Sequence, residues 1–173
     1  METKIIFLDI DGVIATNEQF FTDTKKFRED NPWAKELRVH YLFDNGCVNI
    51  LNEILESTGA EIVLSSTWKM GRSLEDLDFI FKTNGVIKSP ISFTPNEWVS
   101  FSNTTRNRAY QIGCYIQENN VKNYVVIDDL PVGEYMKITN DDDKFVLTND
   151  MEGLKQEGIK DKILNILKTN FSN

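Results

Sequence analysis

The chain has 173 residues, 40% of them hydrophobic, with a formal net charge of −8 and an isoelectric point near 4.7. That length suits one domain with a sizeable core, and the acidity excludes the basic stripe by which a protein grips a long polynucleotide. Two distant cysteines, Cys47 and Cys114, form neither a disulfide framework nor a zinc pattern, and no apolar run approaches a membrane span, so a soluble, reducing, cytoplasmic setting is expected.

Short apolar runs alternate with longer helical patterns. The first run, "KIIFLDI" (4–10), reads as a buried strand that stops at Asp9, with Asp11 and Gly12 just beyond. Residues 17–43 have no clean period and are expected to form a small cap excursion. "FDNGCVNILNEILEST" predicts a helix, with Val48, Leu51, Ile54 and Leu55 on one face, Asp44 as N-cap and Gly59 at the end. "AEIVLSS" (60–66) is a second strand, "LEDLDFIFKTNG" a second helix, and "GVIKSPIS" (85–92) a short strand. Residues 90–107 read as loop. "RAYQIGCYIQENN" (108–120) is helical, "NYVVIDD" (123–129) is another buried strand, "KFVLTN" a shorter one, and "GIKDKILNILKTN" a closing helix.

Alternation of this kind predicts an α/β fold, a parallel sheet with helices on both faces. Ligands of such sheets bind beyond the carboxyl ends of the strands. Three buried strands end there in reactive side chains: Asp9 and Asp11, Ser65 and Ser66, Asp128 and Asp129. Four carboxylates at one edge repel one another unless a cation sits among them, and Mg²⁺ prefers such oxygen ligands together with phosphate. An aspartate can act as nucleophile through an aspartyl-phosphate. A second one, brought close by a turn at Gly12, can protonate the leaving oxygen and then activate water. Serine hydroxyls would hold phosphoryl oxygens, although Ser65 and Ser66 are equally residues that cap helices.

These motifs resemble those of the haloacid dehalogenase (HAD) superfamily of phosphohydrolases. "FLDIDGV" matches the first motif, "IVLSS" the second and "VVIDD" the fourth, and the likeness spans nearly the whole chain. It narrows further: "LFDNGCVNILNEILESTGAEIVLSSTWK", "RAYQIGCYI", "YVVIDDL" and "FVLTNDMEGL" are similar to the HAD domains associated with Swiss Army knife RNA-repair proteins. Those carry a basic residue opening the helix before the fourth motif, with Ile four residues on. Arg108 with Ile112 fits, Arg106 is the substitute, and Ala109 stands where glycine is usual. The resemblance implies a Rossmann-like HAD core with a small cap. It makes Asp9 the nucleophile and a Mg²⁺ ligand, and Asp11 the general acid/base, offering its backbone carbonyl to the metal. Ser65 would bind the phosphoryl group with Ser66 beside it, Arg108 would neutralise charge, and Asp128 and Asp129 would complete the metal site.

The expected function is that of a Mg²⁺-dependent phosphomonoesterase acting on a nucleotide or a nucleic-acid terminal phosphate. A small-metabolite phosphatase, phosphotransfer to another acceptor and a non-catalytic phosphate-binding module are the alternatives. The expected partner is a phosphorylated substrate, with no membrane and no extended nucleic-acid surface. His40 is read as a surface or core-edge residue, the run Asp141 to Asp143 as a solvated loop, and Trp33, Trp68 and Trp98 as packing groups. Trp68 is near enough to Ser66 to wall a pocket, and it, Phe93 or Trp98 could stack on a terminal base. Lys69 either reaches phosphate or points to water.

Overall fold

Residues Lys4–Leu8 form strand β1, buried on both faces because its side chains alternate between two apolar layers. Ile6 and Leu8 face one layer; Ile5 and Phe7 face the other. This account rests on a computed structural model that describes residues 3–30, 43–99, 102–135 and 142–168. Strands β2 (Glu61–Leu64), β3 (Ser92–Phe93), β4 (Asn123–Asp128) and β5 (Phe145–Leu147) join β1 in a five-stranded sheet of order β3-β2-β1-β4-β5. Every pairing is parallel. The chain runs outward from β1 on one side and then crosses to β4 on the other, so the carboxyl ends of β1 and β4 flank the point where strand order reverses.

Helices cover both faces, giving the α/β fold that the alternation predicts. Helix α2 (Asn45–Thr58), α3 (Leu74–Thr83) and α5 (Ile159–Lys168) pack on the Ile6 and Leu8 face. Helix α4 (Thr104–Glu118) covers the other face through Ala109, Ile112 and Ile116. Helix α2 follows its sequence closely. Asp44 Oδ1 accepts from the backbone N–H of Gly46 (2.8 Å) and Cys47 (3.2 Å), and Gly59 closes the helix at φ +68°. Its buried Leu51, Ile54 and Leu55 each contribute roughly 1.5–3 kcal/mol by leaving water. Asp44 Oδ2 binds Thr16 Oγ1 at 3.0 Å and Lys155 Nζ at 2.7 Å, which ties the start of α2 to two remote segments.

Three expectations shift. Residues Asn17–Asp30 form helix α1, where no period was legible, because its faces do not separate: Phe20 is half-buried while Phe21 is 60% exposed. The rest of the expected cap, residues 31–42, with Trp33 and His40, lies outside the described residues, as does Asp141. β3 is only Ser92–Phe93, because Ile87 and Ile91 are each 50% exposed at the sheet edge and bury no strand face. Helix α4 starts at Thr104 inside the expected loop. Asn103 caps it by accepting from the Arg106 N–H at 2.8 Å, so Arg108 sits in the second turn instead of opening the helix. Asp142–Lys144 is a 3-10 turn leading into β5.

The segment after β5 folds back over the loop that follows β1. Thr148 Oγ1 donates to the carbonyl of Gly12 (2.9 Å), Leu154 N–H to that of Val13 (3.0 Å), and Asn17 N–H to that of Asp150 (2.9 Å). Gly153, at φ +57°, sits so close that a Cβ there would lie 2.2 Å from the Val13 carbonyl oxygen.

Candidate active site

Strand pairing brings the reactive residues side by side. Leu8 is in register with Leu64 on β2 and with Ile127 on β4. The ladder continues one step past β1, with Asp9 N–H bonding the Ile127 carbonyl and Ser65 N–H the Leu8 carbonyl, each at 3.0 Å. Asp9, Ser65 and Asp128 therefore leave three adjacent strands together, each at most 2% exposed. Beyond Asp9 the chain turns tightly: Ile14 and Ala15 N–H groups both donate to the Ile10 carbonyl, and Gly12 N–H to that of Ala15. Gly12 has φ +72°, and a Cβ there would fall 2.5 Å from Asp129 Oδ2. Only glycine lets the turn and the Asp129 carboxylate come this close.

Arg108 reaches into this group from α4. Its Nη1 lies 2.6 Å from Asp9 Oδ2 and 2.9 Å from both oxygens of Asp128, and the side chain is almost fully buried. Burial works against its charge, but Asp9 and Asp128 outweigh burial and raise its pKa. The Asp128 pKa also rises, which for a carboxylate favours the neutral form: burial and the neighbouring Asp9 push it well above the usual range, with Arg108 opposing. Asp129 is pushed up to about 6 by burial, then by Asp9. Arg106 is exposed on the first turn of α4, so the cation brought to the carboxylates is Arg108.

The four expected carboxylates do not all meet. Asp9, Asp128 and Asp129 each offer an oxygen within 4.8 Å of the others. The Asp11 carboxylate turns instead toward Trp68, whose Nε1–H donates to Oδ2 at 2.9 Å. Burial raises the Asp11 pKa, the Trp68 bond lowers it and Asp9 raises it, for a net upward shift. Trp68 is held in turn by Phe43, ring centroids 5.9 Å apart, and by Arg72, whose guanidinium lies 5.3 Å from the indole centroid.

Among the described residues, two buried side-chain oxygens have no hydrogen-bond partner: Asp9 Oδ1 and Ser65 Oγ. Such atoms are uncommon in folded proteins and call for a ligand. The first belongs to a set of three carboxylates, oxygen ligands of the kind a hard divalent cation takes, two of which Arg108 already pairs with; the second is a hydroxyl that lines the same cleft as Arg108. The two serines thus differ. Ser66 caps the 3-10 turn Thr67–Lys69 by accepting from the Trp68 N–H at 3.4 Å, while Ser65 Oγ bonds nothing.

Lys69 follows neither expectation. It is buried, and its Nζ donates to Thr94 Oγ1 (2.6 Å), the Pro95 carbonyl (3.1 Å) and Gln111 Oε1 (2.8 Å). Burial, then repulsion from Arg108, pushes its pKa down to about 7. Sequence reasoning passed over Thr94, Gln111 and Thr148. The bonds of Lys69 to Thr94 and Gln111 span 25 and 42 residues, so no local pattern marks them. For Thr148 the signal was the strand "KFVLTN", whose end lies beside Asp128.

Residues 5–159 match the family described as the HAD domain in Swiss Army Knife RNA repair proteins. No curated protein and no solved structure matches the chain. No helix of the described residues is long and apolar enough to cross a membrane.

Proposed function

The chain belongs to the family of HAD domains found in Swiss Army Knife RNA repair proteins, and from that premise we propose that it is a Mg²⁺-dependent phosphomonoesterase that works through an aspartyl-phosphate on Asp9. The observation that carries this reading is the pair of unbonded buried oxygens, Asp9 Oδ1 at the end of β1 and Ser65 Oγ at the end of neighbouring β2. An oxygen nucleophile and a phosphoryl-binding hydroxyl are what such a reaction needs in that position.

Asp9 attacks phosphorus, forming one P–O bond as the bond to the leaving oxygen breaks, and Asp11 delivers a proton to that oxygen. Water then attacks the phosphorus of the aspartyl-phosphate, Asp11 takes its proton, and the bond to Asp9 breaks to release phosphate. Ser65 donates to a phosphoryl oxygen. Arg108 balances the charge of Asp9 and can offer its remaining N–H groups to phosphate. Asp9, Asp128 and Asp129 would hold the cation, with the Asp11 backbone carbonyl as a further ligand. When bound, Mg²⁺ neutralises charge on the phosphoryl oxygens.

The substrate proposed is a nucleotide or a nucleic-acid end, supported by the family's occurrence in RNA repair proteins. The net charge of −8 favours a ligand that makes few phosphate contacts and so a shallow salt dependence; it also favours the second reading, a small-metabolite phosphatase. Phosphate release with Mg²⁺ from nucleoside monophosphates, 3′- and 5′-phosphorylated oligonucleotides and sugar phosphates separates the two. Turnover confined to non-nucleotide esters would remove the nucleic-acid reading, and an active Asp9→Asn protein would remove the mechanism.

A further inference from the structure

Beside Arg108 a cleft opens between the turn Thr67–Lys69, the segment after β3 and the first turns of α4. Ser65 and Arg108 both line it, so it continues outward from the proposed phosphoryl position. In a chain of net charge −8, its lining carries the Arg108 guanidinium and no carboxylate. Trp98, 46% exposed, and Met70, 49% exposed, stand at its lip. Among the described residues the Trp98 indole makes no ring contact and no hydrogen bond.

The backbone on both sides of Trp98 is hydrogen-bonded to α4. The residue before it accepts from Gln111 Nε2 through the Glu97 carbonyl at 2.8 Å, and the residue after it donates through the Val99 N–H to Asn107 Oδ1 at 2.9 Å. Asn107 and Gln111 are buried side chains of α4, and Lys69 pins the same segment at Thr94 and Pro95. An exposed indole at the mouth of a cleft that Arg108 lines and no carboxylate enters suits a flat aromatic group joined to an anion. Stacking on such a ring needs no particular hydrogen-bond pattern and serves any base. A nucleotide has this form, and a sugar phosphate lacks the plane.

Resting on the phosphatase reading above, we infer that this cleft seats the base of the nucleotide that carries the scissile phosphate, stacked on Trp98. Thr67 and Asn96, exposed at the lip with side chains that make no hydrogen bond among the described residues, meet the edge of the base or its ribose.

The test compares adenosine 5′- and 3′-monophosphate with ribose 5-phosphate on the wild type, Trp98→Ala and Trp98→Phe. Trp98→Ala should lower kcat/KM for the better adenosine nucleotide by about tenfold, chiefly through KM. Its loss on ribose 5-phosphate should be several-fold smaller, and Trp98→Phe should recover most of the nucleotide activity. Equal losses on both substrates, or none on either, would overturn the subsite and leave the phosphatase standing. If no ester is turned over, the phosphatase reading fails, and calorimetry on Asp9→Asn protein with Mg²⁺ still decides the cleft. Adenosine monophosphate binding about tenfold tighter than ribose 5-phosphate, with the gap closing when Trp98→Ala is added, supports the subsite; equal affinities overturn it.

Discussion

Ser65→Ala should move stability and activity in opposite directions. The Ser65 side chain is 1% exposed and its hydroxyl oxygen has no partner. A buried polar group left unbonded costs about 1–3 kcal/mol. Alanine deletes that group and little else, so the variant should gain about 1 kcal/mol, or about 2–4 °C in melting temperature for a chain of this size. In the proposed reaction the hydroxyl would face a charged phosphoryl oxygen, and a hydrogen bond to a charged group contributes about 1.5–3 kcal/mol. The expected loss in kcat/KM is therefore roughly 10- to 150-fold. Ser66→Ala is the control: that hydroxyl caps the Thr67–Lys69 turn, so its loss should lower the melting temperature. Differential scanning calorimetry without ligand and phosphate-release kinetics with Mg²⁺ read the two effects. If Ser65→Ala melts lower than wild type, or turns over at the wild-type rate, the hydroxyl is not waiting for phosphate.

Gly12→Ala places a methyl group at φ +72° and 2.5 Å from Asp129 Oδ2; beyond about 1–2 kcal/mol for the left-handed backbone, it should displace Asp129 and reduce the rise in melting temperature given by millimolar Mg²⁺, measured by thermal shift. Trp68→Phe keeps the packing on Phe43 but removes the N–H bonded to Asp11, so steady-state kinetics should show kcat falling about tenfold with KM little changed. Asp44 is a charged cap whose burial raises its pKa, yet its bonds from Lys155, Cys47 and Thr16 win and hold it below the ordinary 3.8. Its stabilisation is complete above that value and is lost as pH falls through the lower folded value, so Asp44→Asn, which melts lower at pH 7, should show a flatter acid limb in urea melts below pH 4. Lys69, held down near 7 against an ordinary 10.5, binds fewer protons folded than unfolded between those values. Stability should therefore rise with pH across that window and lose that slope in Lys69→Met, as read by melting temperature at pH 7 and pH 9.

The residues that were legible in the sequence are those whose role is local. "KIIFLD" announces both the buried strand and the abrupt polar end at Asp9, and "YVVIDD" repeats the signal on the neighbouring strand. Asp44 and Gly59 marked α2 because capping is a matter of a few adjacent residues. Helix α4 showed no early turn because "TTRN" has no apolar residue to reveal a period; its start is set by the Asn103 cap. The pairing of Trp68 with Asp11 joins residues 57 apart, and its geometry depends on where β2 delivers the chain. Spacing could group acidic residues at one edge, but it could not tell that Asp11 faces an indole while Asp9, Asp128 and Asp129 face one another.

The clamp formed by Thr148, Asp150, Gly153 and Leu154 has a consequence for how the protein is born. The loop after β1 is synthesised well ahead of the donors that fix its Gly12 and Val13 carbonyls, which follow more than 130 residues later. Until those donors are made, the loop that follows Asp9 lacks its brace. A nascent chain stalled after Leu147 would hold every described strand of the sheet and none of these contacts. The brace on the loop thus arrives in one step, when the segment after β5 closes over the end of β1.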